Sequence, residues 1–353
     1  MTDTAAATVI DTDAVIIGAG PVGLFQAFQL GLQEARCHLI DVLPYPGGQC
    51  IELYADKPIY DIPGIPVCTG RELIERLLTQ VAPFQPQMHL GQMVSAMEIQ
   101  ADGQILTRSS SGLTLRSKVV IIAAGVGAFQ PRCPSVEDLA ALTDTQLFFQ
   151  PCTEAQTAGK QVLLLGDGDS ALDAALALSA QAHPPRSITL MHRRDVFVAA
   201  ADTQTRFRAQ VAAGAIRFVA GQLHGVETHN GILQAAQVLT NQGEVQSLPT
   251  DLLLVLQGLS PKLGPLADWG LAMERRQLQV NTETFATNLP GVFAVGDINT
   301  YPGKKKLILC GFHEATMAAF ATMQVLAPQR KVLLQYTTTS TRLHQLLGVK
   351  NLA

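Results

Sequence analysis

A glycine-rich segment near the start of the chain has the composition and spacing of a nucleotide-binding turn. It reads Gly18-Ala19-Gly20-Pro21-Val22-Gly23, follows the apolar run 14–17 and precedes a helical pattern. In such a segment Gly18 permits the tight turn, Gly20 lets the backbone approach a pyrophosphate, and Gly23 lets helix and strand pack closely. The N-terminus of the following helix would present free N–H groups to the phosphates. The segment therefore predicts a dinucleotide site.

A carboxylate stands where such a site needs one. Asp41 ends the next apolar run, 37–40. Its distance from the first glycines is close to the spacing of about 20 residues at which a carboxylate accepts hydrogen bonds from an adenosine ribose. The first site is therefore predicted to bind an unphosphorylated ribose, as in FAD.

A second turn, Gly166-Asp167-Gly168-Asp169-Ser170-Ala171, repeats the pattern in mid-chain, with alanine in place of the third glycine. The strand that follows ends in His192-Arg193-Arg194 instead of an acid. Two guanidiniums can bind a ribose 2′-phosphate through charge-assisted hydrogen bonds. We therefore predict an NADPH site formed by Gly166, Gly168, Ser170, His192, Arg193 and Arg194. A solvated basic loop remains the alternative.

The elements around these turns alternate between strand-like and helix-like runs, which favours an α/β protein with parallel central sheets. Hydrophobic residues make up 47% of the 353 residues and charged residues 15%, as suits sheets buried on both faces. No apolar run is long enough for a membrane span, and we expect a soluble, cytoplasmic protein. The net charge of −4 argues against a generally basic nucleic-acid binder.

The six cysteines are scattered along the chain without a C-x-x-C pair or metal-ligand spacing. We predict free thiols and no metal site. Because one thiol cannot form an internal disulfide, reduction of thioredoxin through a cysteine pair is not expected.

Four stretches together carry a resemblance to a known family. They are Gly47-Gly48-Gln49 with Tyr54, Tyr60 and Asp61; residues 123–132; the second glycine turn with its basic strand end; and Gly296-Asp297 with residues 301–304 and 311–315. In this order they resemble the ferredoxin (or flavodoxin)–NADP⁺ reductases of the thioredoxin-reductase-like type. The resemblance implies two Rossmann-like nucleotide-binding domains. The FAD-binding domain is split, 1–125 and 289–353 with a C-terminal extension, and the NADPH-binding domain, 126–288, is inserted.

The resemblance also implies further contacts to FAD. Tyr54 would stack on one face of the flavin and Tyr336, often from the partner subunit in this family, on the other, so the tail would gate the nicotinamide. The whole set expected at FAD, including the residues of the first turn, is Gly18, Gly20, Gly23, Asp41, Gly48, Gln49, Tyr54, Val94, Phe129, Asp297 and Thr338.

The activity implied is hydride transfer from NADPH to FAD and single-electron transfer to ferredoxin or flavodoxin, by a homodimer without an obligatory acid, base or nucleophile. Two alternatives stay open: a flavin reductase or oxidase for a small-molecule acceptor, and a non-catalytic FAD-binding redox sensor. A run of lysines, Lys304-Lys305-Lys306, is either a solvated charge run or a docking patch for an acidic electron carrier.

Two positions depart from the family pattern and weaken the NADPH assignment. Asp167 stands where glycine is usual, and Val198 where arginine is frequent. Asp195 is expected to dilute the charge beside Arg194. Arg206 or Arg208 is a candidate to compensate for Val198.

Overall fold

The computed structural model describes residues 9–329 and 336–349. Contacts divide the chain into two compact units: unit 1 combines Met1–Phe129 with Pro261–Ala353, and unit 2 is Gln130–Ser260.

The strands and helices are numbered along the chain. The strands are β1 Val9–Asp11, β2 Ala14–Ile17, β3 Cys37–Ile40, β4 Pro58–Ile59, β5 Cys68–Thr69, β6 Gln87–His89, β7 Val94–Ile99, β8 Ile105–Ser109, β9 Thr114–Ser117, β10 Val119–Ile122, β11 Ala128–Pro131, β12 Leu147–Phe148, β13 Gln161–Leu165, β14 Ser187–His192, β15 Arg217–His229, β16 Ile232–Thr240, β17 Val245–Pro249, β18 Leu252–Val255, β19 Leu259–Lys262, β20 Met273–Glu274, β21 Gln277–Gln279, β22 Val292–Ala294 and β23 Asn299–Thr300. The α-helices are α1 Pro21–Leu32, α2 Gln49–Glu52, α3 Gly70–Val81, α4 Glu154–Thr157, α5 Asp169–Ser179, α6 Ala201–Ala212, α7 Ile308–Leu326 and α8 Thr341–Leu346.

Unit 1 is built on a five-stranded sheet in the order β22-β10-β2-β3-β6, in which all neighbours are parallel. Every residue of β2 and β10 is buried, because both faces of this sheet are covered. Residues of α1, α3 and α7 pack on one face. The four-stranded sheet β1-β9-β8-β7 packs on the other. This layered arrangement leaves the carboxyl ends of β2, β3 and β10 at one edge, where the first glycine turn begins.

Unit 2 has a seven-stranded sheet in the order β12-β18-β13-β14-β15-β16-β17. The neighbours from β12 to β15 are parallel, and β15, β16 and β17 form an antiparallel extension. The expected parallel sheet is therefore present, but it is extended by a meander that the sequence analysis did not predict. The second glycine turn connects β13 to α5 in this sheet.

The boundary between the units differs from the expected one at its second crossing. We expected residues 126–288 in the inserted domain, whereas the structure assigns the chain from Pro261 onward to unit 1. The reason is strand pairing, since β21 runs parallel to β23 within unit 1. In the described parts of the chain, no helix has the length and apolar character needed to cross a membrane.

Candidate functional site

A cleft in unit 1 lies beyond the carboxyl ends of β2, β3 and β10, the edge at which open α/β sheets bind ligands. It contains about 1160 Å³ of empty space, counting the part open to solvent, which is large enough for a dinucleotide. The predicted site residues that line it are Gly18, Gly20, Asp41, Gly48, Gln49, Tyr54, Val94, Phe129 and Asp297.

The three glycines of the first turn have different physical roles. Gly18 has φ +111°, and a Cβ there would lie 2.4 Å from the carbonyl oxygen of Ala123. A Cβ on Gly23, inside α1, would lie 2.0 Å from the carbonyl oxygen of Gly18. At Gly20 the nearest atom to such a Cβ is 4.0 Å away. Gly18 and Gly23 are therefore required by packing, whereas Gly20 keeps the cleft open.

Helix α1 begins at this turn without a side-chain cap, since its N-cap residue is Gly20. Its first turn contains no acidic residue that would occupy the helix N-terminus. The N–H groups of the first turn are consequently available to an anionic ligand in the cleft. This arrangement fits a pyrophosphate.

Asp41 is buried at the end of β3, with 9% of its surface exposed. Its Oδ2 accepts a hydrogen bond of 2.6 Å from the N–H of Ala19, and its Oδ1 accepts one of 2.9 Å from the N–H of Leu43. Burial raises the pKa of this carboxyl, although the backbone hydrogen bonds oppose the change. Val42 adds a third backbone hydrogen bond, which still leaves one of the roughly four lone-pair sites of the fixed carboxylate for a hydroxyl donor of a ligand.

The opposite wall of the cleft is held by side-chain contacts to the turn at Gly296–Ile298. Gln49 Nε2 donates to Asp297 Oδ2 at 3.2 Å, and Gln277 Nε2 donates to the carbonyl oxygen of Asp297 at 3.2 Å. Tyr54 is half-buried, and its hydroxyl oxygen accepts from Cys50 Sγ at 3.5 Å. Burial raises the pKa of Tyr54, so its ring stays neutral at physiological pH.

Beneath this turn lies a buried polar network centred on Glu314 of α7. Its Oε2 accepts from the N–H of Gly296 at 2.7 Å and from Asn299 Nδ2 at 2.8 Å. Its Oε1 accepts from Tyr301 Oη at 2.9 Å and forms an ion pair with Lys304 Nζ at 2.5 Å. Lys304 Nζ also donates to the carbonyl oxygen of Gly296 at 2.8 Å. The N–H and the carbonyl of Gly296 are thus both fixed by one buried ion pair.

This network corrects one reading of the lysine run. The side chain of Lys304 is only 6% exposed, so it is neither a solvated charge nor part of a docking patch. Lys305 and Lys306 are exposed, and Lys306 lines the cleft. The free positive charge at the rim therefore comes from two lysines instead of three.

In the second glycine turn, in unit 2, the first glycine is again required by packing and the second again leaves open space. Gly166 has φ +157°, and a Cβ there would lie 2.5 Å from the carbonyl oxygen of Leu256. A Cβ on Gly168 would meet nothing within 4 Å. Helix α5 begins after Gly168 without a side-chain cap, and Ser170 is exposed in its first turn. Unlike α1, this helix has an acidic residue in its first turn, Asp169, whose Oδ1 accepts a hydrogen bond from the N–H of Ala200. The N–H groups at the N-terminus of α5 have no side-chain cap and can still bind a phosphate group.

The basic strand end lies beside this turn. Arg193 and Arg194 are exposed, and in the described chain neither guanidinium has an ion pair or a hydrogen bond. Asp195 does not dilute their charge as expected, because it pairs with Arg208 at 2.5 Å. The Arg193–Arg194 pair is therefore free to bind an anion.

The expected substitutes for an arginine at position 198 are already engaged. Arg208 is held by Asp195 and lies 4.8 Å above the Phe197 ring, and Arg206 is 3.9 Å from Asp202. Val198 itself is 78% exposed beside the turn. Both arginines therefore already have an acidic partner, although the Arg206–Asp202 pair is exposed and loose.

The C-terminal residues predicted at the flavin do not line the cleft of their own chain. Tyr336 and Thr338 are exposed. Helix α8, which comes after them, is anchored at the C-terminal end of α1, where Arg342 pairs with Glu34 at 3.4 Å. The cleft lies at the other end of α1.

Some cleft residues were not predicted from the sequence. Trp269, the only tryptophan in the chain, lines the cleft together with Pro265 and Leu266. These residues fall in the segment that the sequence analysis assigned to the inserted domain. The only sequence signal that could have pointed to this part of the cleft was the single tryptophan, Trp269, next to Gly270. The buried Glu314 and its ion pair with Lys304 were not predicted from the sequence either.

Comparison with known proteins places the chain in a family. A family model described as pyridine nucleotide-disulphide oxidoreductase matches residues 12–320. A ferredoxin–NADP reductase of Acidovorax sp. is 56% identical over 343 residues, covering 96% of this chain and 95% of the relative. One of Albidiferax ferrireducens is 53% identical over 343 residues, covering 97% of each.

Solved structures give the same fold. A thioredoxin reductase from Gloeobacter violaceus matches with a TM-score of 0.56 and 19% identity, covering 93% of this chain and 98% of that one. Lactococcus lactis thioredoxin reductase in its FR conformation matches with a TM-score of 0.53 and 23% identity, covering 90% and 99%. The family match spans both glycine turns and the Gly296–Asp297 turn. The chain therefore belongs to the pyridine nucleotide-disulphide oxidoreductase family, in the group whose curated members are named ferredoxin–NADP reductase.

Proposed function

We propose that this chain transfers electrons between NADPH and ferredoxin or flavodoxin through bound FAD. The observation that carries the proposal is the contrast between two glycine turns that each connect a buried parallel strand to a helix. The first has a buried carboxylate, Asp41, at its strand end, and the second has the unpaired guanidiniums of Arg193 and Arg194. An acid selects a ribose hydroxyl, whereas a pair of guanidiniums selects a ribose phosphate. The two sites therefore bind different nucleotides.

The cleft of unit 1 fits FAD. The open N-terminus of α1 and the space at Gly20 suit the pyrophosphate, and Asp41 suits the adenosine ribose. Asp297, held by Gln49, would be the polar partner of the ribityl chain. Bound flavin would supply the conversion between a two-electron hydride and single electrons. The residues of the chain bind and orient it, and Tyr54, Val94 and Phe129 provide apolar walls.

The second turn fits NADPH in three respects. Gly168 leaves room for a phosphate at the N-terminus of α5, and Ser170 offers a hydroxyl there. Arg193 and Arg194 are free to bind the 2′-phosphate. His192, at the end of β14, is only 14% exposed and would border the adenosine.

Electrons leave through the flavin edge and not through cysteines. The chain has no C-x-x-C pair that could carry electrons as an internal disulfide. Lys305 and Lys306 give the cleft rim a positive charge suited to an acidic carrier protein. We also propose a cytoplasmic homodimer in which Tyr336 and Thr338 of one subunit cover the flavin of the other.

Anaerobic stopped-flow spectroscopy tests the proposal. NADPH should bleach the flavin absorbance, and mixing the reduced enzyme with ferredoxin or flavodoxin should restore it. A flavin that NADPH does not bleach would contradict the proposal and support a redox sensor. Fast reoxidation by small quinones or iron chelates, with slow reoxidation by both proteins, would instead identify a small-molecule reductase.

A further inference from the structure

The second glycine turn combines charges of both signs at one point. Strands β13 and β14 are parallel neighbours with Leu165 opposite Met191, so the residues after them lie side by side. Asp167 Oδ2 is accordingly 3.6 Å from His192 Nε2, and Arg193 is the next residue along the chain. The carboxylate of Asp167 therefore lies next to the strand end at which Arg193 and Arg194 are proposed to bind the 2′-phosphate.

The position of Asp167 is fixed by the neighbouring loop. Its carbonyl oxygen accepts a hydrogen bond of 2.8 Å from the N–H of Val198. Two residues later the carboxylate of Asp169 accepts one of 2.8 Å from the N–H of Ala200. The turn is thus held on both sides of Gly168. With its backbone held, Asp167 keeps its side chain on the side of His192.

The hydrogen bonding of His192 defines what this pair can bind. Its Nδ1 lies 3.0 Å from the carbonyl oxygen of Arg194, and because a carbonyl only accepts, Nδ1 carries the proton. In the neutral imidazole Nε2 is then an acceptor, facing a carboxylate at a distance beyond hydrogen-bond reach. As long as the imidazole is neutral, these two facing acceptors need a ligand that brings donors. The 2′- and 3′-hydroxyls of a ribose are such donors, whereas a 2′-phosphate is not.

We propose that Asp167 and His192 form a hydroxyl-binding pair through which the second site accepts NADH as well as NADPH. The inference rests on the proposed function, which makes this turn the nicotinamide nucleotide site. Arg193 and Arg194 attract the 2′-phosphate, and Asp167 repels it from the same side. The net preference between the two nucleotides is therefore set by opposing groups, and Asp167 shifts it towards NADH.

Removing the carboxylate must change the two affinities in different ways. Asp167→Asn keeps the volume and an acceptor oxygen but removes the charge. It should tighten binding of the 2′-phosphorylated nucleotide and leave the unphosphorylated one nearly unchanged. Asp167→Gly also removes the acceptor oxygen. It should therefore tighten binding of the 2′-phosphorylated nucleotide and weaken binding of the unphosphorylated one. Damage to the fold would weaken both.

Calorimetric titration with 2′,5′-ADP and 5′-AMP measures these affinities on the FAD-loaded protein without turnover. We expect Asp167→Asn to lower the Kd for 2′,5′-ADP about tenfold, which corresponds to about 1.4 kcal/mol. Asp173→Asn, which removes an exposed carboxylate from α5, the helix that follows the turn, is the matched control and should leave both values unchanged. Asp167→Gly should raise the Kd for 5′-AMP several-fold.

The outcomes separate this inference from the proposed function. Wild-type protein that binds neither fragment would overturn the nucleotide site and this inference with it. Wild-type protein that binds 2′,5′-ADP, with a Kd that Asp167→Asn leaves unchanged or raises, would overturn only the role of Asp167. Equal changes in Asp167→Asn and Asp173→Asn would also overturn it, because the effect would then be one of net charge.

Discussion

Replacing Lys304 with methionine should strongly destabilise unit 1. The side chains of Lys304 and Glu314 are 6% and 0% exposed, and the ammonium lies 2.5 Å from the carboxylate. Methionine fills similar volume but leaves the carboxylate buried without its cation. Breaking one side of a buried pair costs about 3–5 kcal/mol, because the remaining charge keeps its desolvation penalty. The carbonyl of Gly296 loses a donor as well, which adds about 1 kcal/mol.

A double-mutant cycle with Glu314 tests whether the unpaired charge of the Glu314 carboxylate causes this loss of stability. Glu314→Gln removes the negative charge and keeps one oxygen to accept from the N–H of Gly296 or from Asn299 Nδ2. We therefore expect Lys304→Met with Glu314→Gln to be more stable than Lys304→Met alone. The difference measures the penalty of the orphaned carboxylate, and the coupling energy between these neighbouring sites should exceed about 1 kcal/mol.

Trp269 provides the assay, since it is the only tryptophan and lies in unit 1. Its fluorescence in urea reports the unfolding of unit 1 even though a protein of two units need not unfold in one step. The measurement should be made on FAD-free protein and repeated after loading, where weaker FAD retention is also expected. A loss below about 1 kcal/mol in Lys304→Met, or a double variant no more stable than the single one, would refute the argument.

Three further predictions concern other parts of unit 1. Gly23→Ala should prevent stable folding because its Cβ would lie 2.0 Å from a backbone carbonyl oxygen, whereas Gly20→Ala should fold but retain FAD poorly, as measured by the flavin absorbance of purified protein. Burial lowers the pKa of His38 and of His89 below 6.5, so the unfolded state takes up protons first and the stability of unit 1 falls as pH drops through about 6.5. Replacing His89 with glutamine should flatten that dependence in urea titrations between pH 5 and 8, and an unchanged slope would contradict it. Lys306→Glu should slow ferredoxin reduction at low salt and make its rate less sensitive to added salt, which stopped-flow traces would reveal.

The sequence predicted the features that depend on local chemistry. Each glycine turn comes after a buried parallel strand and begins a helix, and Gly18 and Gly166 both adopt a positive φ that only glycine takes easily. Asp41 lies at the cleft because β2 and β3 are parallel neighbours, so the residues just beyond these strands meet at one edge. These features can be predicted from a short sequence pattern, together with the rule that the carboxyl ends of neighbouring parallel strands lie at the same edge of a sheet.

Features that depend on pairing between distant segments could not be predicted from the sequence. Strand β21 has three residues, and nothing in its composition says that it pairs with β23. The segment from Pro261 was therefore assigned to the wrong neighbour, and Trp269 was missed with it. Lys304 looks like its two neighbours in the run, and its burial depends on Glu314 in a helix that begins four residues later.

The nucleotide preference of the second turn illustrates why a motif alone cannot settle specificity. The deciding factor is which charges are already neutralised within the protein. Asp195 adjoins Arg194 in the sequence and was expected to dilute its charge, yet the structure pairs Asp195 with Arg208. Asp167 looked like a local departure from a glycine position, yet it faces the strand end that carries the arginines. Because an exposed guanidinium without a partner retains its full attraction for phosphate, and a carboxylate beside it subtracts from that attraction, the balance depends on contacts across the sheet. Exchanging the Asp195–Arg208 pair for neutral residues should therefore affect nucleotide choice less than removing Asp167, although both changes alter charge near the same arginines.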